Sequence, residues 1–254
     1  MVNEWFLNES FWETFFPYLF SEERTALGAV QAEQAVALAG LAGLDKGRVL
    51  DLCCGPGRVA IPLARKGFRV TGVDRSPFLL DKARQAAQAQ GVDVEWVQED
   101  MRSFTRPESF SLALNLFTSF GYFTDPNDDI QVLANLCACL VPGGTLVMEL
   151  MCKERLARIW QPTISETFGD GSLLVHRVSI QESWKRVHAE WVLVRDGRAE
   201  TFTFEHSLYS GRELEDRLLQ VGFTDIALFG DLDAKEFGVD AERLVIVARK
   251  PGSS

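Results

Sequence analysis

Three acids stand where short apolar runs end, and they are the residues on which chemistry can be built. Asp51 lies in Val49-Leu50-Asp51-Leu52, just before the turn Cys53-Cys54-Gly55-Pro56-Gly57; Asp74 closes Val70-Thr71-Gly72-Val73-Asp74; Asp100 stands in Glu99-Asp100-Met101. A carboxylate in such a position can accept from hydroxyls, hold a cation or take a proton. The glycine turn lets backbone approach a ligand that a side chain would exclude, and the helix start that follows aims unpaired N–H groups and partial positive charge at it. The spacing describes a nucleotide-handling corner.

Strands must carry those acids. Arg48 to Leu52 suits a short buried strand, and Arg58 through Lys66 a helix in which Pro62 breaks a local rule by removing an interior hydrogen bond. Phe68 to Asp74 is a second strand, and Ser76-Pro77 caps a helix to about Gln90. Val92 to Val97 is a third strand and Ser111 to Leu116 a fourth. Pro126 to Leu140 is a helix closed by Pro142-Gly143-Gly144, and Thr145 to Leu150 is the fifth strand. This alternation predicts an α/β fold, a doubly wound, mostly parallel Rossmann-like sheet with helices on both faces. Ligands bind such sheets at the carboxyl ends of the strands, where Asp51, Asp74, Asp100 and Asn115 stand.

The flanking segments read differently. Trp12, Phe15, Phe16, Leu19 and Phe20 fall at helical spacing, with Pro17 expected to kink or break the run. Acids rather than bases share that segment, so a lid or packing helix is expected and not a membrane anchor. Ser21 caps a second helix from about Glu22 to Leu41, ended by Gly43. From Glu166 to Leu208 period-2 stretches alternate with Gly169-Asp170-Gly171, Lys185-Arg186 and Asp196-Gly197, predicting an inserted antiparallel β cap. A helix from Gly211 to Val221 and strands at Phe223 to Phe229 and Leu244 to Ala248 follow. The expected organisation is a helical segment at 1–44, a cofactor-binding core at 45–151, the cap at 152–209 and completion of the core sheet at 210–254.

Composition narrows the partners. At 254 residues and 46% hydrophobic the chain can bury a full core, and its formal charge of −10 opposes binding to a phosphate backbone. No apolar run is long enough to span a bilayer and no basic leader opens the chain, so a cytoplasmic location is expected. Five cysteines without Cys-x-x-Cys spacing read as reduced core thiols, with no metal site.

Gly55-Pro56-Gly57-Arg58-Val59-Ala60 fits the loose spacing of a dinucleotide loop. Asp51, however, would set a carboxylate close to the diphosphate. A ligand with an ammonium suits it better. S-adenosyl-L-methionine has that ammonium, a carboxylate for the helix start, ribose hydroxyls for Asp74 and an adenine for Asp100 and Met101.

Val49 to Gly57, Val70 to Ser76, Asp100-Met101 and Leu140-Val141-Pro142-Gly143-Gly144 resemble the ordered motifs of class I S-adenosylmethionine-dependent methyltransferases. The resemblance implies a seven-stranded sheet ending in an antiparallel hairpin, and methyl transfer to nitrogen or oxygen of a small molecule by in-line displacement. The cap is similar to that of small-molecule N- or O-methyltransferases, sugar amine N-methyltransferases among them. The expected cofactor contacts are Asp51, Cys53, Gly55, Gly57, Asp74, Arg75, Asp100, Met101, Asn115 and Leu116. Phe117, Ser119 and Tyr209 are expected to bind the acceptor, and Tyr122, Glu149, His176 and His206 are the candidates for catalysis. The expected partner is a small-molecule acceptor, with neither nucleic acid nor membrane and a homodimer as a possible assembly. The alternatives are an NAD-dependent oxidoreductase, on the glycine spacing and Asp74, and a non-catalytic cofactor-binding subunit.

Overall fold

A computed structural model describes residues 4–41 and 47–252. Its first sheet carries the predicted alternation. Strand β1 (Arg48–Leu52) leads to helix α4 (Ala60–Arg65), β2 (Arg69–Asp74) to α5 (Pro77–Gln90), and β3 (Glu95–Gln98) to β4 (Phe110–Asn115). Helix α6 (Pro126–Cys139) returns to β5 (Leu140–Leu150), and after the cap α8 (Gly211–Gln220), β10 (Thr224–Phe229) and β11 (Leu244–Arg249) complete the unit. The strand order is β10-β11-β5-β4-β1-β2-β3. The first five strands are parallel, and β11 runs antiparallel between β5 and β10. Chain direction across the sheet reverses between β1 and β4, which opens a crevice at their carboxyl ends.

The sheet is buried on both sides because its strands are apolar at successive positions. Leu50, Leu52, Ala113 and Met148 pack with α6 and α8 through Val132, Leu133, Leu136, Leu214 and Leu218. Val49, Val70, Leu112, Leu114 and Val147 pack on the opposite side with Ala32, Ala35, Ala60 and Leu63 of the helices preceding and following β1.

The N-terminal region departs from expectation in three ways. The helix predicted over Glu22 to Leu41 is two helices, α2 (Glu22–Ala26) and α3 (Gly28–Leu38), joined at Leu27. Gly28 explains the break: a β-carbon there would collide with the Arg58 carbonyl, so the start of α3 presses against the glycine turn. Gly43, the expected stop, lies outside the described residues. Helix α1 (Glu9–Leu19) runs through Pro17, and its buried residues are Phe11, Phe15 and Tyr18, offset from the predicted stripe.

Pro62 also finds its reason. Helix α4 begins at Ala60, two residues later than predicted, so Pro62 sits in the first turn, where no intrahelical N–H bond is required.

The cap is a four-stranded antiparallel sheet in the order β6 (Thr163–Thr167), β7 (Leu173–Gln181), β8 (Arg186–Arg195), β9 (Arg198–Ser207). Asp196 and Gly197, at φ 51° and 72°, make the tight β8–β9 turn that the Asp-Gly pair predicts. Helix α7 (Lys153–Ile159), absent from the sequence reading, links β5 to β6. Helix α1 lies between cap and core: Phe11, Phe15 and Tyr18 pack with Leu174, Leu193, Trp191 and Phe202.

Candidate functional site

One cavity of about 920 Å³ occupies the crevice over β1 and β4 and extends beneath the cap. At its core end lie Asp51, Cys53, Gly55, Asp74, Arg75, Asp100, Met101 and Leu116. After Asp51 the backbone turns left-handed at Cys53 (φ 63°) and Gly55 (φ 53°). Asp74 holds that turn: its Oδ2 accepts from the Gly55 amide at 2.8 Å and its Oδ1 from the Ser76 amide at 2.9 Å. Two carboxylate oxygens with more lone pairs than these bonds use retain capacity toward hydroxyls.

Burial, with Asp74 beside it, pushes the Asp51 carboxyl up to about 7, and burial pushes Asp74 up to about 6 against the amides that favour its charge. Asp51 is 4% exposed and has no ion-pair partner among the described residues. A buried carboxylate without a cation is an invitation to one.

Asp100 is differently placed. Its oxygens accept from Arg102 Nε at 3.0 Å, Arg102 Nη2 at 2.7 Å and Arg75. Burial works against the charge, but the hydrogen bonds from Arg102 prevail and hold Asp100 below the usual carboxylate range. Arg102 also binds Glu4 at 2.7 Å, and Glu9 accepts from Ser76 Oγ at 2.8 Å and the Phe78 amide at 3.2 Å. The N-terminal segment is therefore tied to partners of both Asp74 and Asp100.

Several predicted residues have other positions. Asn115 is buried away from the cavity and donates to the Leu52 carbonyl at 3.1 Å, fastening β4 to β1. Gly57 faces Trp96 and Ile61, where a β-carbon would not fit, so it serves packing of the turn and not the cavity. Tyr209, expected at the acceptor, lies in the core, tilted against Phe120 and donating to Asp129 Oδ2 at 2.5 Å. His176 leans on Trp191, with ring centroids 4.5 Å apart, and is not among the cavity residues.

Glu149 lines the cavity, but both its oxygens are engaged: Oε2 accepts from the Phe117 amide at 2.7 Å and Oε1 meets Arg243 Nε at 2.9 Å. Its carbonyl accepts from the Thr118 amide at 2.9 Å. Phe117 and Thr118 are both left-handed (φ 61° and 58°), a conformation that costs non-glycine residues about 1–3 kcal/mol each. Glu149 is the brace for that strained bend, a role opposed to proton transfer. Ser119 lines the wall with its hydroxyl donating to the Leu116 carbonyl.

The far end of the cavity is aromatic. Trp5, Phe6, Phe11 and Trp12 come from the N-terminal segment, Tyr122 and Phe123 from the loop after β4, and Trp191, Phe204 and His206 from the cap. Sequence reading missed Trp5, Trp191 and Phe204. The available signal was Trp191, Phe202 and Phe204 recurring at alternate positions of two consecutive strands. Burial lowers the His206 pKa, and its Nδ1 lies 3.0 Å from the Ser207 carbonyl.

Residues 49–144 match a family described as a methyltransferase domain. YqeM of Bacillus subtilis, a methyltransferase by assignment, is 29% identical over 211 residues, covering 81% of this chain and 85% of that one. An S-adenosylmethionine-dependent methyltransferase from Clostridium acetobutylicum superposes with a TM-score of 0.79 at 17% identity over 96% of this chain and 99% of the other. The sugar N-methyltransferase KedS8 from a Streptoalloteichus species gives 0.68 at 19% identity, over 92% of each chain. Residues 49–144 thus match a methyltransferase domain, and the chain as a whole shares the fold of S-adenosylmethionine-dependent methyltransferases.

Proposed function

We propose that the chain methylates a nitrogen or oxygen of a small molecule held in the aromatic end of the cavity. The carrying observation is continuity: Asp51 and Asp74 at one end and the aromatic chamber at the other share one enclosure. The residues fit the cofactor. Asp51, buried without a cation, suits its ammonium; Asp74, with spare lone pairs, suits the ribose hydroxyls; Asp100 and Met101 border the adenine's place, with Gly55 and Leu116 giving backbone contact.

Bound there, S-adenosylmethionine would supply an electrophilic methyl group to the acceptor's lone pair. The protein's own contribution is alignment and exclusion of water. The left-handed bend at Phe117 and Thr118, braced by Glu149, fixes the wall beside Leu116, and the N-terminal aromatics with the cap roof the chamber. His206, a cavity residue whose Nδ1 is committed to the Ser207 carbonyl, carries its lone pair on Nε2.

The net charge of −10 and the uncharged chamber support a diffusible acceptor and not a nucleic acid, in the cytoplasm. A homodimer is a possible assembly, read by light scattering on the eluting protein. Calorimetry with S-adenosylhomocysteine and with NAD tests the function: S-adenosylhomocysteine is expected to bind, and binding of NAD alone overturns the reading.

A further inference from the structure

Resting on that reading, we infer that the acceptor is an uncharged ring compound. Its reacting hydroxyl donates to His206 Nε2, and an oxygen on the adjoining ring carbon accepts from Trp5 Nε1 and Tyr122 Oη.

The chamber's walls carry the first half of this. Every cavity residue from the cap is uncharged at neutral pH, from Leu156, Val178, Val187 and Ala189 to Trp191, Phe204 and His206, and the N-terminal contributions up to Phe20 are apolar or aromatic. The charged lining residues all come from outside the cap and the first twenty residues, Asp51, Asp74, Asp100, Glu149 and Arg243 among them. Trp5, Trp191 and Phe204 form an aromatic group, Trp5 tilted against Phe204 and Trp191 edge-on to it, with centroids 4.9 and 5.3 Å apart. Such walls favour a ring over a flexible polar chain.

The second half comes from polar groups left open. Trp5 Nε1 is buried with no hydrogen-bond partner among the described residues, whereas the adjacent Trp12 Nε1 donates to the Phe6 carbonyl at 3.0 Å. The Tyr122 hydroxyl has no partner among the described residues. Its ring lies between the other two, 5.1 Å from Trp5 and 5.6 Å from His206. A carbonyl oxygen only accepts, so the 3.0 Å contact of His206 Nδ1 with the Ser207 carbonyl puts the proton on Nδ1 and the lone pair on Nε2. One acceptor and two donors, contiguous and neutral, line an apolar room.

A ligand must answer that pattern. A carboxylate or phosphate finds no cation among the cavity-lining residues of the cap, and Arg186 behind His206 is engaged by the Phe123 carbonyl and Glu205. An ammonium finds ring faces, but these hold the protonated form, which has no lone pair to react. A neutral hydroxyl with a neighbouring oxygen satisfies all three groups. In the transfer the hydroxyl oxygen bonds the methyl carbon, the carbon–sulfur pair stays on sulfur, and the hydroxyl proton passes to His206 Nε2.

The test is calorimetry on the full chain saturated with S-adenosylhomocysteine, using three probes on one ring system: 2,3-dihydroxynaphthalene, 2-naphthol and 2-naphthylmethylamine. The diol is expected to bind about tenfold or more tighter than 2-naphthol, and the amine weakest. Trp5→Phe and Tyr122→Phe should each remove the diol's advantage while leaving 2-naphthol affinity unchanged, a pattern that a merely loosened wall would not produce. His206→Gln should slow methylation of the diol about a hundredfold or more while the diol still binds. Equal binding of diol and naphthol, tightest binding of the amine, or no binding of either naphthol overturns the inference. If S-adenosylhomocysteine binds and the naphthols do not, the acceptor class alone falls; if S-adenosylhomocysteine does not bind, the methyltransferase reading falls with it.

Discussion

The Gly55 amide donates to Asp74 Oδ2 at 2.8 Å, so the acid that ends β2 holds the shape of the turn that follows β1. Asp74 thereby joins two tasks, bracing the turn and facing the cavity. Asp74→Ala is expected to weaken S-adenosylhomocysteine at least about tenfold, because charge-assisted bonds of about 1.5–3 kcal/mol are lost. Asp74→Asn, which keeps one accepting oxygen, should fall between. Calorimetry on both variants reads this, and unchanged affinity in the alanine variant would remove Asp74 from the site.

Cofactor binding should carry a proton signature. With its carboxyl at about 7, Asp51 is substantially protonated in the ligand-free protein at neutral pH, and an ammonium beside it requires the charged form. S-adenosylhomocysteine affinity is expected to rise between pH 6 and pH 8 with release of protons. The binding enthalpy should then differ between buffers of unlike ionisation enthalpy, and Asp51→Asn should flatten the pH profile.

The same shift has a stability consequence of definite sign. An Asp51 carboxyl raised from 3.8 to about 7 makes the folded ligand-free chain bind more protons than the unfolded chain, so this group's contribution falls as pH rises from about 4 through 7. Urea unfolding should find Asp51→Asn gaining stability relative to the parent at pH 8 compared with pH 5. A pH-independent difference would contradict the buried, unpaired state.

Gly28→Ala should act at a distance from its own helix. A β-carbon there meets the Arg58 carbonyl, and overpacking of this kind costs about 1–3 kcal/mol. Lower urea midpoints with weakened S-adenosylhomocysteine binding are expected, since relief of the clash moves the glycine turn.

Tyr209→Phe should lower stability without touching acceptor affinity. Removing the hydroxyl at 2.5 Å from Asp129 Oδ2 leaves a fully buried carboxyl without that donor, a loss of about 1–3 kcal/mol. Urea unfolding beside probe calorimetry separates this core role from the substrate contact expected of Tyr209 in the sequence.

Short-range rules account for what could be read without coordinates. Asp51, Asp74 and Asp100 are legible because strand period, caps and glycine turns act within a few residues, and their order places all three at one sheet edge. Asp196-Gly197 announced its hairpin for the same reason. Glu149 was legible as a strand-end acid, but not as the brace of Phe117 and Thr118, because Arg243 reaches it through the β5–β11 pairing and the strained amides through the β4–β5 pairing.

The amino-acid sequence by itself determined the α/β alternation, the inserted cap and the acids at the strand ends, since each follows from the chain's local chemistry. Only the tertiary structure decided which groups share the aromatic chamber. Trp5, Tyr122 and His206 come from three remote segments, and no periodicity links them. Their meeting depends on α1 packing between cap and core through Phe11 and Phe15, an arrangement set by burial of apolar surface across the whole fold.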